Sequence, residues 1–181
     1  TPVADQFGTA TITVTVTDGG LDNDLGTPED NGVINRTVTV ITEAVNDAPV
    51  LDPAASPQLA SVLEDAGAPV GQVGTLVSAL IDAGGTHNNF SDVDGHLPGI
   101  AITGTNLQGG SLYYSTDDGA TWQLVPAATP SSSLTLLADS QTRIYFSPGA
   151  DLTNEAGGTF TFRAWDRTGA STNGEQDVLA T

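Results

Sequence analysis

Alternating apolar and threonine residues mark two strand-like segments near the start of the chain. In residues 9–17 the even-numbered positions from Ala10 to Val16 are apolar, and the odd-numbered positions are threonine. A period of two is typical of a strand with one buried face. Residues 34–42 form the next such segment, and residues 18–32 between them are rich in Gly, Asp and Asn. This arrangement predicts a hairpin with a long loop.

The segment Asn46-Asp47-Ala48-Pro49 interrupts this pattern. Proline has no amide hydrogen for a sheet ladder and restricts the residue before it, so we expect an extended linker and a domain boundary here. Short strand candidates then follow at close spacing: residues 59–63, 70–77, 99–105, 111–116, 121–125, 133–137, 142–147 and 159–165. Residues 75–82 have a short helical turn as their alternative. Many short strands and no long helical pattern predict an all-β protein, built as an antiparallel β-sandwich.

An internal repeat is visible when Asp18 is aligned with Asp166, because the apolar and threonine positions of the two preceding strands then coincide. The offset of 166 − 18 = 148 residues fits tandem whole domains better than a solenoid. Residues 1–45 are therefore interpreted as the C-terminal strands of a preceding repeat. Residues 46–181 are interpreted as a sandwich repeat that lacks its last strand. The alternative is that the first hairpin completes this sandwich.

Composition narrows the classes of partner. The 22 acidic residues and 4 arginine or lysine residues give a formal charge of 4 − 22 = −18. Such a charge repels phosphate backbones and anionic lipid, so we expect neither nucleic-acid binding nor membrane insertion. The chain has no cysteine, which excludes disulfides, thiol nucleophiles and thiolate metal sites. The acidic residues invite two interpretations, a solubilising surface or a set of ligands for hard cations, and their positions decide between them.

Strand order predicts that several of these acidic residues converge. In a seven-strand sandwich that starts at the linker, the second inter-strand loop and the end of the sixth strand lie at the pole where the linker enters. The oxygen-bearing residues placed there are Asn46, Asp47, Asp92, Asp94 and Asp166. Converging carboxylates repel one another unless a cation lies between them, and Ca2+ prefers six to eight oxygen ligands. The sequence therefore predicts a Ca2+ site at this pole.

The same segments resemble a known family. The linker is similar to the Asn-Asp linker between cadherin repeats, residues 92–94 to their Asp-x-Asp loop, and residues 164–169 to their Ala-x-Asp-x-Gly strand end. The match is closer to the bacterial cadherin-like tandem repeats of large acidic surface adhesins. The resemblance implies a Greek-key, cadherin- or immunoglobulin-like sandwich. It also implies an extracellular, bacterial cell-surface location and Ca2+ that rigidifies the junction with neighbouring repeats of the same protein.

Two further acidic groups are secondary ligand candidates. Glu64 and Asp65 resemble the early-strand acid of cadherins that serves the site at the far pole. Asp18, Asp22 and Asp24 crowd the first hairpin loop, where a solvated acidic loop is favoured over a second cation site. His87 and His96 bracket the Asp-x-Asp loop and could hold a transition metal; exposed loop histidines are the favoured interpretation.

Residues 115–122 match the pattern Ser-x-Asp-x-Gly-x-Thr-Trp and resemble the Asp-box of sialidases and other propeller proteins. In that family the motif is a structural hairpin. Its Asp accepts hydrogen bonds from backbone amides of the turn, and its Trp packs inside. One copy predicts a turn-stabilising device here and not glycosidase activity.

These features favour a calcium-rigidified structural or adhesive repeat module whose partners are neighbouring repeats and a cell-surface protein or polysaccharide. The alternative is a carbohydrate-binding module that uses exposed aromatic side chains among Tyr113, Tyr114, Trp122, Tyr145 and Trp165. An enzyme is not expected, because the chain has no nucleophile elbow, phosphate-binding glycine loop or His-pair zinc motif.

Overall fold

The computed structural model describes residues 1, 3–26, 29–81, 89–149, 157–169 and 171–178. The chain divides into two compact units, Thr1–Asn46 and Asp47–Thr181. Strands dominate both units, and the one helix among the described residues is five residues long. The predicted all-β fold class is confirmed.

The first unit is a hairpin of β1 (Gly8–Thr17) and β2 (Val33–Thr42). The strands pair antiparallel over their whole length, and the apolar positions of β1 lie opposite apolar positions of β2, as in the pair Ile12 and Val38. Both side chains of that pair remain about half exposed, at 51% and 53%. The alternation therefore predicted the strands correctly, but a two-stranded sheet has no second layer of its own to bury the apolar face.

The second unit is a β-sandwich with a short helix. Its described elements are β3 (Val50–Leu51), β4 (Thr75–Leu76), α1 (Val77–Ile81), β5 (Phe90–Ser91), β6 (Gly99–Asn106), β7 (Ser111–Ser115), β8 (Gln123–Leu124), β9 (Ser132–Leu137), β10 (Arg143–Ser147), β11 (Thr159–Trp165) and β12 (Glu175–Val178). One antiparallel sheet has the order β4-β10-β7-β8, and the other has the order β11-β6-β9-β12. The short strands β3 and β5 form a separate pair.

The hydrophobic core draws side chains from both sheets and from α1. Ile100 and Ile102 alternate along β6, and Leu134 and Leu136 alternate along β9, so each strand directs every second side chain inward. The remaining buried apolar side chains of the core are Val77, Leu80, Ile81, Phe90, Leu112, Tyr114 and Ile144. Helix α1 is the helical alternative anticipated for residues 75–82, and it contributes three of them.

Two predicted strands differ from the structure. Residues 59–63 form no strand, and the Ala60 amide donates to the Thr75 hydroxyl (2.7 Å) and not to a backbone carbonyl of a ladder. The strand predicted over residues 70–77 is reduced to β4. Gly71 and Gly74 in this segment have φ values of 70° and 76°, a left-handed backbone that ends an extended strand.

Three strands were not predicted. The two-residue strands β3 and β5 are too short for an alternating pattern to register. Strand β12 follows β11 and lies beyond the last strand candidate of the sequence, residues 159–165. β12 pairs with β9 and not with β11. Hydrogen bonds fix the approach to this strand: the Gly174 amide donates to Thr135 O (2.8 Å), and the Leu137 amide donates to the Asn173 side chain (3.0 Å).

Candidate cation site

The loop between β5 and β6 carries two ligand candidates that fold back on each other. The backbone amide of His96 donates to Oδ1 of Asp92 (3.1 Å), and the amide of Gly95 donates to the Asp92 carbonyl (3.3 Å). Gly95 has φ = 74°, a conformation that favours glycine. The turn brings the imidazole Nδ1 of His96 to 3.6 Å from Asp92 Oδ1.

Strand β11 delivers the third member of the group. Gly99 at the start of β6 pairs with Trp165 at the end of β11, so the residues just outside these two positions emerge at the same edge of the sheet. Asp166 lies there and is 7% exposed. Its Oδ1 accepts hydrogen bonds from the Thr168 amide (2.9 Å) and hydroxyl (2.7 Å). These two bonds fix the carboxylate in the turn after β11.

Asp92, His96 and Asp166 thereby form a compact group of potential metal ligands. One ligand atom from each residue lies within 4.8 Å of the other two. Across the described residues, no other set of three or more His, Asp or Glu side chains meets this distance. The Asp92 side chain is only 2% exposed, whereas the His96 side chain is 38% exposed. The group thus has a buried carboxylate at its base and a half-buried imidazole at its rim.

Asp94 and Asp47 meet through a different contact. The Asp47 amide donates to Oδ2 of Asp94 (2.7 Å). The contact continues the antiparallel register of β3 and β5, in which Val50 lies opposite Ser91. Asp47 is three residues before Val50, and Asp94 is three residues after Ser91. Neither carboxylate belongs to the three-residue group, and Asn46 is the last residue of the first unit.

Within the part of the chain that the structure describes, the secondary candidates do not form a group of three or more ligands. Glu64 and Asp65 are exposed in a turn before β4. In the first hairpin loop, Oδ1 of Asp18 accepts the amides of Gly20 (2.9 Å) and Gly32 (3.1 Å). These bonds, from Gly32 first and then Gly20, hold the pKa of Asp18 below its ordinary value.

Asp22 and Asp24 serve as turn acceptors in the same loop. Oδ1 of Asp22 accepts the Asp24 amide (2.9 Å), and Oδ1 of Asp24 accepts the Gly26 amide (2.8 Å). The loop geometry is therefore explained by carboxylates that satisfy backbone donors.

The Asp-box prediction is confirmed at the turn between β7 and β8. Asp117 accepts the Thr121 amide (2.8 Å) and hydroxyl (2.6 Å) and the Ser115 hydroxyl (2.8 Å). The Thr121 hydroxyl is the largest of the causes that hold the pKa of Asp117 below its ordinary value. Trp122 packs edge-on against Tyr145 at a ring separation of 6.1 Å. The motif therefore holds the turn between β7 and β8.

The carbohydrate-binding alternative depends on exposed aromatic side chains, and the five candidates do not form an exposed platform. All five are buried or half-buried: Tyr113, Tyr114, Trp122, Tyr145 and Trp165. Two of them also use their polar atoms internally. Trp122 Nε1 donates to Gly71 O (3.1 Å), and the Tyr114 hydroxyl donates to Gly174 O (3.2 Å).

Comparisons with known proteins leave the site to be judged on its own chemistry. The chain matches no protein-family profile, no curated protein and no solved structure. Among the described residues, no helix has the length and apolar character that a membrane span requires.

One member of the group, His96, lies in a different environment from the one expected of it. From sequence, His96 is interpreted as an exposed loop histidine, but in the fold it is half-buried beside Asp92. The four-residue spacing of Asp92 and His96 around Gly95 is the available signal, because a tight turn at that glycine brings the two side chains together. His87, the other histidine considered, lies outside the described residues.

Proposed function

We propose that this chain is a cation-stabilised structural module, a Ca2+-binding β-sandwich repeat of a bacterial extracellular adhesin. The observation that supports it is the approach of Asp92 and Asp166, which are distant in sequence and close in space. Two carboxylates ~4 Å apart repel by roughly 4 kcal/mol at an effective dielectric constant of about 20. A divalent cation between them replaces this repulsion with attraction.

The surroundings of the group suit a hard cation. Further oxygen atoms lie nearby. Asp94 is in the same loop as Asp92, Asp47 contacts Asp94, and the turns at residues 92–96 and 166–169 carry backbone carbonyls. Ca2+ accepts such oxygen ligands in flexible geometry. A Cβ added at Gly95 would meet no atom within 4 Å, so the loop has room to adjust around an ion. The formal charge of −18 also favours the uptake of cations in general.

The proposed role is mechanical. The Asp92–His96 loop contains Asp94, whose carboxylate accepts a hydrogen bond from the amide of Asp47 at the start of the second unit. An ion at Asp92 and Asp166 would stiffen the loop that makes this contact. A module of this kind has neighbouring repeats of the same protein as its first partners, and its adhesive partner would be a cell-surface protein or a polysaccharide.

Calcium titration tests the proposal directly. The 181-residue chain, stripped with a chelator, is titrated with Ca2+ by calorimetry and melted with and without the ion. We expect a Kd on the order of 10⁻⁴–10⁻³ M. A concentration of about 100 times the Kd stabilises the folded state by about 2.7 kcal/mol. A melting temperature that Ca2+ leaves unchanged, with no heat of binding, contradicts the proposal.

Two substitutions locate the ion. Asp92→Asn removes the charge of a buried carboxylate but keeps its shape, so the metal-free variant should melt at or above the parent temperature and gain nothing from Ca2+. Asp65→Asn, at an exposed turn position in the same unit, is the matched control and should respond to Ca2+ like the parent. A response lost in Asp65→Asn and retained in Asp92→Asn would place the ion elsewhere.

A further inference from the structure

His96 gives the group a ligand atom of a kind that Ca2+ does not use. Its Nδ1 is buried and has no hydrogen-bond partner within the part of the chain that the structure describes. Ca2+ takes oxygen ligands. An imidazole nitrogen suits zinc, copper, iron and nickel instead. The identity of the third ligand therefore carries information about the ion that the two carboxylates alone do not.

Asp92 supplies a second and independent observation. Its side chain is 2% exposed, and its Oδ2 is buried without a hydrogen-bond partner among the described residues. A buried carboxylate oxygen left without a partner is costly. Native structures rarely retain such a group, and an ion is one of the common reasons when they do. Because Asp92 is a member of the group, an ion bound there would offset the cost of burying this carboxylate oxygen.

The distances fit a small ion after slight closure. Zn2+ bonds to His nitrogen at about 2.0–2.1 Å and to carboxylate oxygen at about 2.0–2.2 Å, so tetrahedral ligands lie roughly 3.3 Å apart. The Asp92 Oδ1 to His96 Nδ1 distance is already 3.6 Å. The remaining separations are within 4.8 Å, so closure to tetrahedral ligand spacing needs a movement of at most about 1.5 Å.

Hydrogen bonds already orient both carboxylates. Oδ1 of Asp92 accepts the amide of His96, and Oδ1 of Asp166 accepts the amide and hydroxyl of Thr168. Metal-binding carboxylates are typically held by such bonds, which fix their direction before the ion arrives.

We propose that Asp92, His96 and Asp166 form a site for a borderline transition metal ion of the Zn2+ class. Three protein ligands leave the fourth position of a tetrahedral ion for water, and the half-exposed rim of His96 gives that water access. The proposal rests on the proposed cation-binding function of the same loops and specifies the ion that they prefer. Zn2+ uses the imidazole, whereas Ca2+ would use the oxygen ligands alone.

The test titrates the chelator-treated full chain with Zn2+ and separately with Ca2+ by calorimetry. Co2+ then replaces Zn2+ to report coordination through its visible absorption. We expect one Zn2+ per chain, bound with a Kd at least ~10-fold below that for Ca2+. Loss of a residue that only supports a ligand lowers metal affinity by roughly 10–100-fold. The ligand substitution His96→Ala is therefore expected to lower Zn2+ affinity by at least ~10-fold. It should also remove the intense visible absorption bands that Co2+ gives in the parent. The Ca2+ affinity of this variant should change by less than about 2-fold.

Control variants separate this inference from the proposed function. His87→Ala, at the other histidine of the chain, should bind Zn2+ with the affinity of the parent. Asp92→Asn should bind both Zn2+ and Ca2+ more weakly than the parent. Unchanged Zn2+ binding in His96→Ala, or Zn2+ binding no tighter than Ca2+ binding, overturns the inference and leaves the calcium proposal standing. Tight Zn2+ binding that depends on His96, with no Ca2+ binding in any variant, supports the inference and overturns the calcium proposal.

Discussion

Asp117 organises the turn between β7 and β8 with a single carboxylate. It accepts two bonds from Thr121 and one from Ser115, and the Ser115 hydroxyl in turn accepts the Gly119 amide (2.8 Å). Every donor lies within four residues of its acceptor. A local network of this kind depends on residue type and spacing, which explains why the motif can be recognised before the fold is known.

Acid is expected to weaken this turn. Because the folded pKa of Asp117 lies below its ordinary value, its contribution to stability is present above the unfolded pKa of about 3.9 and is lost as the pH falls through the folded pKa. Asp117→Asn should therefore lower the melting temperature at neutral pH. The difference from the parent should shrink as the pH falls from about 5 to about 2.

Thermal melts across this pH range check the sign. Asp65→Asn, at an exposed position with no comparable network, is the control and should differ little from the parent at either end. A deficit of Asp117→Asn that grows on acidification contradicts the assignment of the network.

At the scale of elements, the β7–β8 turn packs its backbone against the glycine-rich loop before β4. A Cβ added at Gly119 would lie 2.2 Å from the Gly71 carbonyl oxygen. Arg143 on β10 and Gln72 in the loop both donate to the Asp118 carboxylate, the former over 2.6 Å. Three elements thus meet at one turn.

The close approach can be tested with two matched glycines. Gly119 and Gly109 have nearly the same backbone angle, φ = 89° and 88°, but nothing lies within 4 Å of a Cβ at Gly109. Gly109→Ala should cost about 1 kcal/mol for the backbone conformation alone. Gly119→Ala should cost about 1–3 kcal/mol more, because the turn has to move off the loop. Urea unfolding of both variants measures the difference in the free energy of unfolding. Equal decreases in the two variants would contradict the expectation, because they would show that the turn and the loop move apart without cost.

The sequence is informative where contacts are local or follow from strand order. The long alternating strands β1, β6, β9 and β11 were predictable. The approach of Asp92 and Asp166 was expected from the order of the strands in a sandwich, although β5 and β11 are not paired with each other. The burial of His96 was not, because it depends on how a glycine turn folds and which rotamer the imidazole adopts. Strand β12 was missed for a related reason: hydrogen bonds to β9, rather than an apolar pattern, define it.

For the whole molecule, charge is the dominant long-range term. Four cationic residues against 22 acidic ones leave the chain at −18. At about 10 mM salt the screening length is about 30 Å, so most of these charges repel one another, whereas at about 150 mM it is about 8 Å. The electrostatic free energy that opposes the compact folded state should therefore be lower at the higher salt concentration.

We expect the melting temperature to rise between about 10 and about 150 mM NaCl in the presence of a chelator, because the screening length falls over this range and repulsion within the folded chain weakens. Calorimetry in choline chloride at the same concentrations separates screening from sodium binding, and the two salts should act alike. A melting temperature that stays constant or falls would show that repulsion does not limit the stability of the fold. Calcium titrations at matched ionic strength then report the specific site alone.

The hairpin β1–β2 has a consequence for how chains behave at high concentration. Each of its ten-residue strands has a ladder partner on one side only within the described residues. The free edge of such a strand is a template on which a strand of another chain can add. Repulsion between chains of charge −18 opposes that addition. Salt and bound cations weaken this protection, so the conditions that stabilise the fold also favour intermolecular strand addition and aggregation.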